Sequence, residues 1–301
     1  MASQTDRRSI LTGLGALGLI GCTREAEPAA PAVERAAPAP EPFDLSKLEA
    51  RHGGRLGFAA RDLATGRQLD WRGQERFVYC STFKMYLAAA TLLRVQAGEE
   101  RLDRQIPVTA ADMVNHAPVT QPAIGGTLSV EALMKGVVEV SDNPAANLLL
   151  KAMGGIEPMQ GFYRGIGDQT TTANRFEPEM NRLDGDKDTI LPEQSVANIH
   201  RLFVDPATPL SADSKALLLG WMFDTPTGTA RIKAGVPAGW RVAHKTGTGG
   251  YGPTNDIGIL YPPAGAPVIV AGYYHAASDD PKNEGVIAQA VRTALTALGR
   301  A

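Results

Sequence analysis

The sequence predicts an α+β fold: an antiparallel five-stranded sheet built from both ends of the chain, flanked by N- and C-terminal helices, with an all-helical domain inserted. Three observations predict it. Strand-like apolar runs bounded by turn residues occupy 55–72 and return at 239–276. Between 81 and 223 apolar residues recur at helical spacing behind polar caps instead. The chain has 301 residues, 44% of them hydrophobic, which is ample for a core of that size.

The N-terminus reads as an address. Arg7 and Arg8 precede an apolar run from Ile10 to Gly21. A dozen or so residues is too short for a bilayer, which needs roughly 20, but suits a signal-peptide core. The arginine pair resembles a twin-arginine export signal, and "LIGC" a lipoprotein cleavage box with Cys22 as the lipidated residue. Residues 1–22 are therefore expected to be a signal with its lipobox, cleaved before Cys22. Residues 23–42, rich in Pro, Ala and Glu, form a solvated tether. The expected product is a periplasmic, membrane-anchored lipoprotein. Cys22 and Cys80 are the only cysteines, so lipidation leaves no internal disulfide.

The folded part follows in order. "FDLSKLEARHGG" is a short helix with Asp44 as N-cap and Gly53 as stop. "RLGFAARDLATGRQLDWR" is two strands around an "ATGR" turn. "TLSVEALMKGVVEV", "NPAANLLLKAMGG", "LPEQSVANIHRLF" and "SADSKALLLGWMF" are helices. "GWRVAHKTG", "TNDIGILYP" and "APVIVAGYYHA" supply three more strands, and "NEGVIAQAVRTALTALG" a last helix. Residues 43–80 with 224–301 make the sheet domain and 81–223 the all-α domain. An inserted domain leaves a crevice against its host, where a site commonly forms.

A net charge of −2 from 30 basic and 32 acidic residues, without a basic stripe, points away from nucleic acid. The chemistry begins in "CSTFKMYLAAATLL". From Phe83 to Leu93 this segment is apolar on every side, as a buried helix is. Yet Lys84 sits in its first turn, with Ser81 three residues earlier on the same face. A serine hydroxyl needs a proton acceptor to become a nucleophile, and a desolvated lysine can serve. Ser-x-x-Lys alone arises by chance about once in a chain of this length, and a snorkelling lysine beside a capping serine is its plainer reading. Three other segments add to it. "SDN" at 141–143 offers a hydroxyl and an amide, although it is also a good helix start. "HKTGTGG" at 244–250 offers a cationic and hydroxyl clamp for a carboxylate. "NRFEPEMN" at 174–181, in a long aperiodic stretch from about 160 to 190, offers Glu177 and Asn181 to hold a water.

Together, Ser81-Thr82-Phe83-Lys84, Ser141-Asp142-Asn143, Glu177 with Asn181, and Lys245-Thr246-Gly247 resemble the motif set of class A serine β-lactamases, in order, over 43–299. The resemblance implies a β-lactamase/transpeptidase-like fold and a hydrolase of penicillins and cephalosporins that gives antibiotic resistance. It makes Ser81 the acylated nucleophile and Lys84 its proton acceptor or relay. Whether Lys84 or Glu177 is the acylation base is open for the family. Glu177 and Asn181 would position the deacylating water, Ser141 would protonate the leaving nitrogen, and Asn143 would bind the substrate's side-chain amide. The backbone amides of Ser81 and Thr248 would form the oxyanion hole. Lys245, Thr246, Gly247, Thr248 and Arg231 would form the carboxylate site, and His116 would wall it. No cofactor or metal, a small-molecule β-lactam partner and a monomer are implied.

Departures from the pattern are specific. The loop between Asn181 and Asp188 is about two residues short, with Arg175 and Asp188 expected to close it as an ion pair. His244 stands where an acid is common. Gly249 occupies the place of the cysteine that would pair with Cys80, which argues against the disulfide-linked carbapenemases. The nearest rival is a DD-peptidase, or penicillin-binding protein, from which Glu177 distinguishes it. A second rival is a non-catalytic, lipid-anchored peptidoglycan-binding protein. A zinc enzyme is set aside because the five histidines show no ligand spacing.

Overall fold

The computed structural model describes residues 43–250, 252–276 and 283–301; the expected signal, Cys22 and the tether lie outside them. In chain order the elements are α1 (Ser46–His52), β1 (Arg55–Asp62), β2 (Gln68–Trp71), β3 (Phe77–Val78), α2 (Phe83–Gln96), β4 (Gln105–Pro107), β5 (Thr127–Ser129), α3 (Val130–Glu139), α4 (Asn143–Ala152), α5 (Glu157–Gly165), β6 (Thr189–Ile190), α6 (Pro192–Phe203), α7 (Ala212–Asp224), α8 (Ile232–Gly235), β7 (Arg241–Thr248), β8 (Pro253–Tyr261), β9 (Val268–His275) and α9 (Glu284–Ala297). A five-stranded antiparallel sheet runs β2-β1-β9-β8-β7, so strands from both ends of the chain meet at β1 and β9.

Both faces of this sheet are apolar, which makes it the middle layer. Along β9, Val268, Val270 and Tyr274 enter one buried cluster with α1 and α9, while Ile269, Ala271 and Tyr273 enter the other with the helical segment. That is the period-2 alternation of a strand covered on both sides. Burying a Leu, Ile or Val side chain contributes about 1.5–3 kcal/mol, so these two clusters are the main stabilising term.

The caps follow from local chemistry. The N-cap of α1 is Leu45, not the expected Asp44, which lies one residue earlier and accepts from the Ser46 amide at 2.7 Å; the chain leaves α1 at Gly53 with φ 70°. Ser129, Asp142 and Ser211 each accept an amide of the first turn of α3, α4 and α7. Helix α2 is buried from Phe83 through Leu92, as its all-apolar sequence requires. The expected division at 81 and 223 follows connectivity, while packing crosses it: α6 rests on β1 and β9. Elements not expected from sequence are short or pair distantly, namely β3 with β6, β4 with β5, α5 and α8.

Candidate active site

The site forms where β7 passes the turn that opens α2. Ser81 lies in a single 3-10 turn, Cys80–Thr82, which delivers it to the head of α2. A Cβ on Gly247 would lie 2.7 Å from the Tyr79 carbonyl and 3.0 Å from the Thr82 amide. Only glycine lets the strand come this close. Gly247 is not among the residues lining the cleft.

Ser81 opens into a cleft of about 550 Å³, whose wall also includes His116, Ser141, Asn143, Asn181 and Thr246. Beneath it lie Lys84 and Lys245, each with no exposed surface, and Glu177 at 2%. Lys84 Nζ donates to Ser81 Oγ at 3.0 Å and to the Ser141 carbonyl at 2.7 Å, and also to Asn143 Oδ1. It pairs with Glu177 Oε1 at 3.1 Å. Burial pushes the Lys84 ammonium below the ordinary lysine range, and the Glu177 charge opposes that shift. Lys245 is lowered well below that range, by burial first and the Lys84 charge second.

Ser141 ties the two lysines together. Its Oγ lies 3.4 Å from Lys84 Nζ and 3.2 Å from Lys245 Nζ. Glu177 Oε1 sits 3.5 Å from Ser81 Oγ, and Asn181 Nδ2 donates to Glu177 Oε2. Asn147, which the motifs do not include, grips the Glu177 backbone: it accepts from the amide and donates to the carbonyl, both at 2.9 Å. Arg175 Nε pairs with the buried Asp188, which also accepts from the Asn174 amide and Tyr79 hydroxyl. The expected loop closure is present.

Arg231, expected to bind a carboxylate, is not a free arginine. Arg231, 4% exposed, donates through Nη1 to the Gly247 and Asn255 carbonyls, both 2.9 Å. Its Nη2 donates to Thr248 Oγ1 and Glu284 Oε1, both 2.8 Å. Thr227 Oγ1 lies 2.9 Å from Thr246 Oγ1. Thr227 and Glu284 both line the cleft, and nothing in their local sequence marks them. His116 stands at the cleft with φ 60° and Nε2 2.8 Å from the Val140 carbonyl. A Cβ on Gly249 would lie 3.2 Å from Cys80 Sγ, so glycine occupies the place beside that buried thiol. Among the described residues no group of acids, histidines and cysteines could hold a metal.

The chain that carries this serine, two buried lysines, bridging serine and carboxylate matches known proteins over most of its length. The profile of the Beta-lactamase enzyme family matches residues 44–298. The carbapenem-hydrolyzing β-lactamase KPC of Klebsiella oxytoca is 40% identical over 263 residues, covering 86% of this chain and 88% of that one. This chain belongs to the class A β-lactamase family. The solved last common ancestor of Gram-negative bacteria class A β-lactamase superposes with a TM-score of 0.80 at 43% identity, over 84% of this chain and 97% of that one. The class A β-lactamase from Mycobacterium abscessus gives 0.82 at 38% identity, over 85% and 98%.

Proposed function

We propose that the cleft hydrolyses the β-lactam amide of penicillins and cephalosporins through an acyl-enzyme on Ser81, giving resistance to these antibiotics. The observation that carries this reading is the position of Glu177, 3.5 Å from Ser81 Oγ with its other oxygen held by Asn181. A carboxylate there can accept a proton from a water attacking the ester, which a penicillin-binding protein that stays acylated does not need. In the forward step Ser81 attacks the lactam carbonyl and its proton passes to Lys84, whose burial favours the neutral amine. The tetrahedral oxygen is received by the backbone amides of Ser81 and Thr248. Ser141, bonded to both lysines, delivers its proton to the departing nitrogen and takes one back from Lys84, which returns to the neutral amine. Lys245, Thr246, Thr248 and Arg231 receive the substrate carboxylate, Asn143 its side-chain amide, and His116 closes the wall, while Asn181 with Glu177 holds the deacylating water.

We also propose a monomer, and twin-arginine export with acylation at Cys22 that tethers it to a membrane on the periplasmic side; Arg7, Arg8 and "LIGC" support the export and the anchor. Protein lacking residues 1–22, assayed against a panel of penicillins and cephalosporins, should turn over both classes. A stable adduct without turnover would replace this reading with that of a penicillin-binding protein. Cys22→Ser should move the protein from the membrane to the soluble fraction, and a wild type already soluble would refute the anchor.

A further inference from the structure

The groups facing the anion come from two segments, Arg231 from the 225–232 turn and Lys245, Thr246 and Thr248 from β7. Arg231's own bonds tie the two directly, and a buried histidine–aspartate pair that the chemistry above leaves unused adds a second tie, at the backbone that carries Arg231. Side chains alternate along β7, so His244 shares a face with Thr246 and Thr248 rather than with Lys245. Asp256 stands opposite Thr246 in the β7–β8 register. His244 Nδ1 lies 2.8 Å from Asp256 Oδ1 and 3.0 Å from Oδ2. Asp256 Oδ2 also accepts from the Ile232 amide at 3.1 Å, one residue beyond Arg231.

Both side chains are fully buried, and His244 Nε2 has no hydrogen-bond partner among the described residues. A pair of this kind is a poor stabiliser, since desolvation offsets most of its attraction. Its geometry suggests placement instead. The turn lies directly against the ring: a Cβ on Gly228 would be 3.1 Å from His244 Cε1 and 2.4 Å from Thr246 Cγ2. The Gly228 carbonyl in turn accepts the Arg231 amide at 3.0 Å.

We propose that His244 is a positioning residue: by holding Asp256 on the Ile232 amide it presents Arg231 to the substrate carboxylate beside Lys245. This rests on the reading of the cleft as a β-lactam site. Without the His244 N–H, nothing orients the Asp256 carboxylate from the β7 side, and it is free to release Ile232. Arg231 Nη2 then follows Glu284, already 2.8 Å away, and leaves Thr248, while Nη1 stays on the Gly247 and Asn255 carbonyls and the guanidinium tilts from the cleft.

The test compares benzylpenicillin with its methyl ester, which lacks the carboxylate charge. His244→Phe keeps a ring and loses the donor; His244→Asn can place an amide N–H where Nδ1 stands. For His244→Phe the KM of the acid should rise about tenfold with kcat little changed and the ester kinetics unmoved, so the acid-to-ester preference falls by the same factor. His244→Asn should restore most of that preference. Acid and ester losing activity together, or a preference that His244→Phe leaves intact, would overturn the role. If His244→Phe does not fold, Asp256→Asn, which sets an NH2 against either the His244 N–H or the Ile232 amide, reads the same ratio. A wild type that opens neither compound overturns the reading of the cleft and this role with it, whereas an active wild type with an unmoved ratio overturns this role alone.

Discussion

Glu177→Gln should turn a catalyst into a protein that reacts once. The change preserves shape, and the structure shows what it removes. Glu177 Oε1 faces Lys84 Nζ at 3.1 Å and Ser81 Oγ at 3.5 Å, while Oε2 accepts from Asn181. An amide has one oxygen for these two directions. If the oxygen serves Asn181, an NH2 confronts Lys84; if it serves Lys84, two NH2 groups face each other. In neither arrangement does an acceptor remain for the proton of an attacking water. A positioned general base is worth about 10²–10⁴ in rate, or roughly 3–5 kcal/mol of barrier. Deacylation should slow by that factor. Acylation should survive, because loss of the Glu177 charge removes what opposes deprotonation of Lys84. In stopped flow with a chromogenic cephalosporin the variant should release one equivalent in a burst and then nearly stop. Intact-protein mass spectrometry should find the adduct on Ser81. Loss of the burst together with turnover would show that Glu177 is the acylation base. A steady state within tenfold of wild type would refute the argument for its role in deacylation.

Lys84→Met should keep the fold, by near-UV circular dichroism, and slow acylation by about 10²–10⁴. In wild type the acylation rate should climb with pH through a limb below the ordinary lysine range, the direction in which burial moves Lys84, and Lys84→Met should lose that limb. Arg231→Ala should raise KM for penicillins about tenfold and also lower the melting temperature, because Nη1 holds two buried carbonyls; an unchanged KM would leave Arg231 a purely structural residue. Asp188→Asn should weaken the closure with Arg175, open residues 174–188 to proteolysis, and slow deacylation more than acylation. Equal slowing of both steps would mean that the loop does not act through Glu177.

The strands and long helices are legible because their apolar residues lie in runs. In α9, Val286, Ile287, Ala290, Val291 and Ala294 fall on one helical face and all are buried. Helix α5 is not legible: "EPMQGFYRG" carries two glycines and buries only Met159 and Tyr163. Strands β3 and β6 pair Phe77 with Ile190 across more than a hundred residues, and two residues carry no period. The same holds in the site. Ser81, Lys84, Ser141 and Glu177 stand in motifs whose spacing reflects local geometry. Asn147, Thr227, Asp256 and Glu284 act through partners on other elements, so no local pattern marks them. Arg231 was legible as a cation but not as one whose Nη1 is committed to β7 and β8 carbonyls.

Backbone conformation gives a sharper account of where local rules break. Among the described residues, five non-glycine positions have φ between 47° and 62°: Arg72, Cys80, His116, Ser141 and Asp188. Such a conformation costs on the order of 1–3 kcal/mol at residues other than glycine, and Cys and Ser gain little from it locally. Four of the five surround the cleft. Cys80 precedes the nucleophile, His116 and Ser141 line the wall, and Asp188 closes the loop that carries Glu177. Ser141 shows what the strain obtains. With φ at 62°, its carbonyl points down to Lys84 at 2.7 Å while its hydroxyl reaches Lys245 at 3.2 Å. An extended or helical backbone would turn one of these two groups away. Asp142, capping α4 and bonded to the amides of Val119 and Thr120, holds the residue in place from the next position. The rigidity needed to keep Ser141 there is supplied by neighbours that never touch substrate.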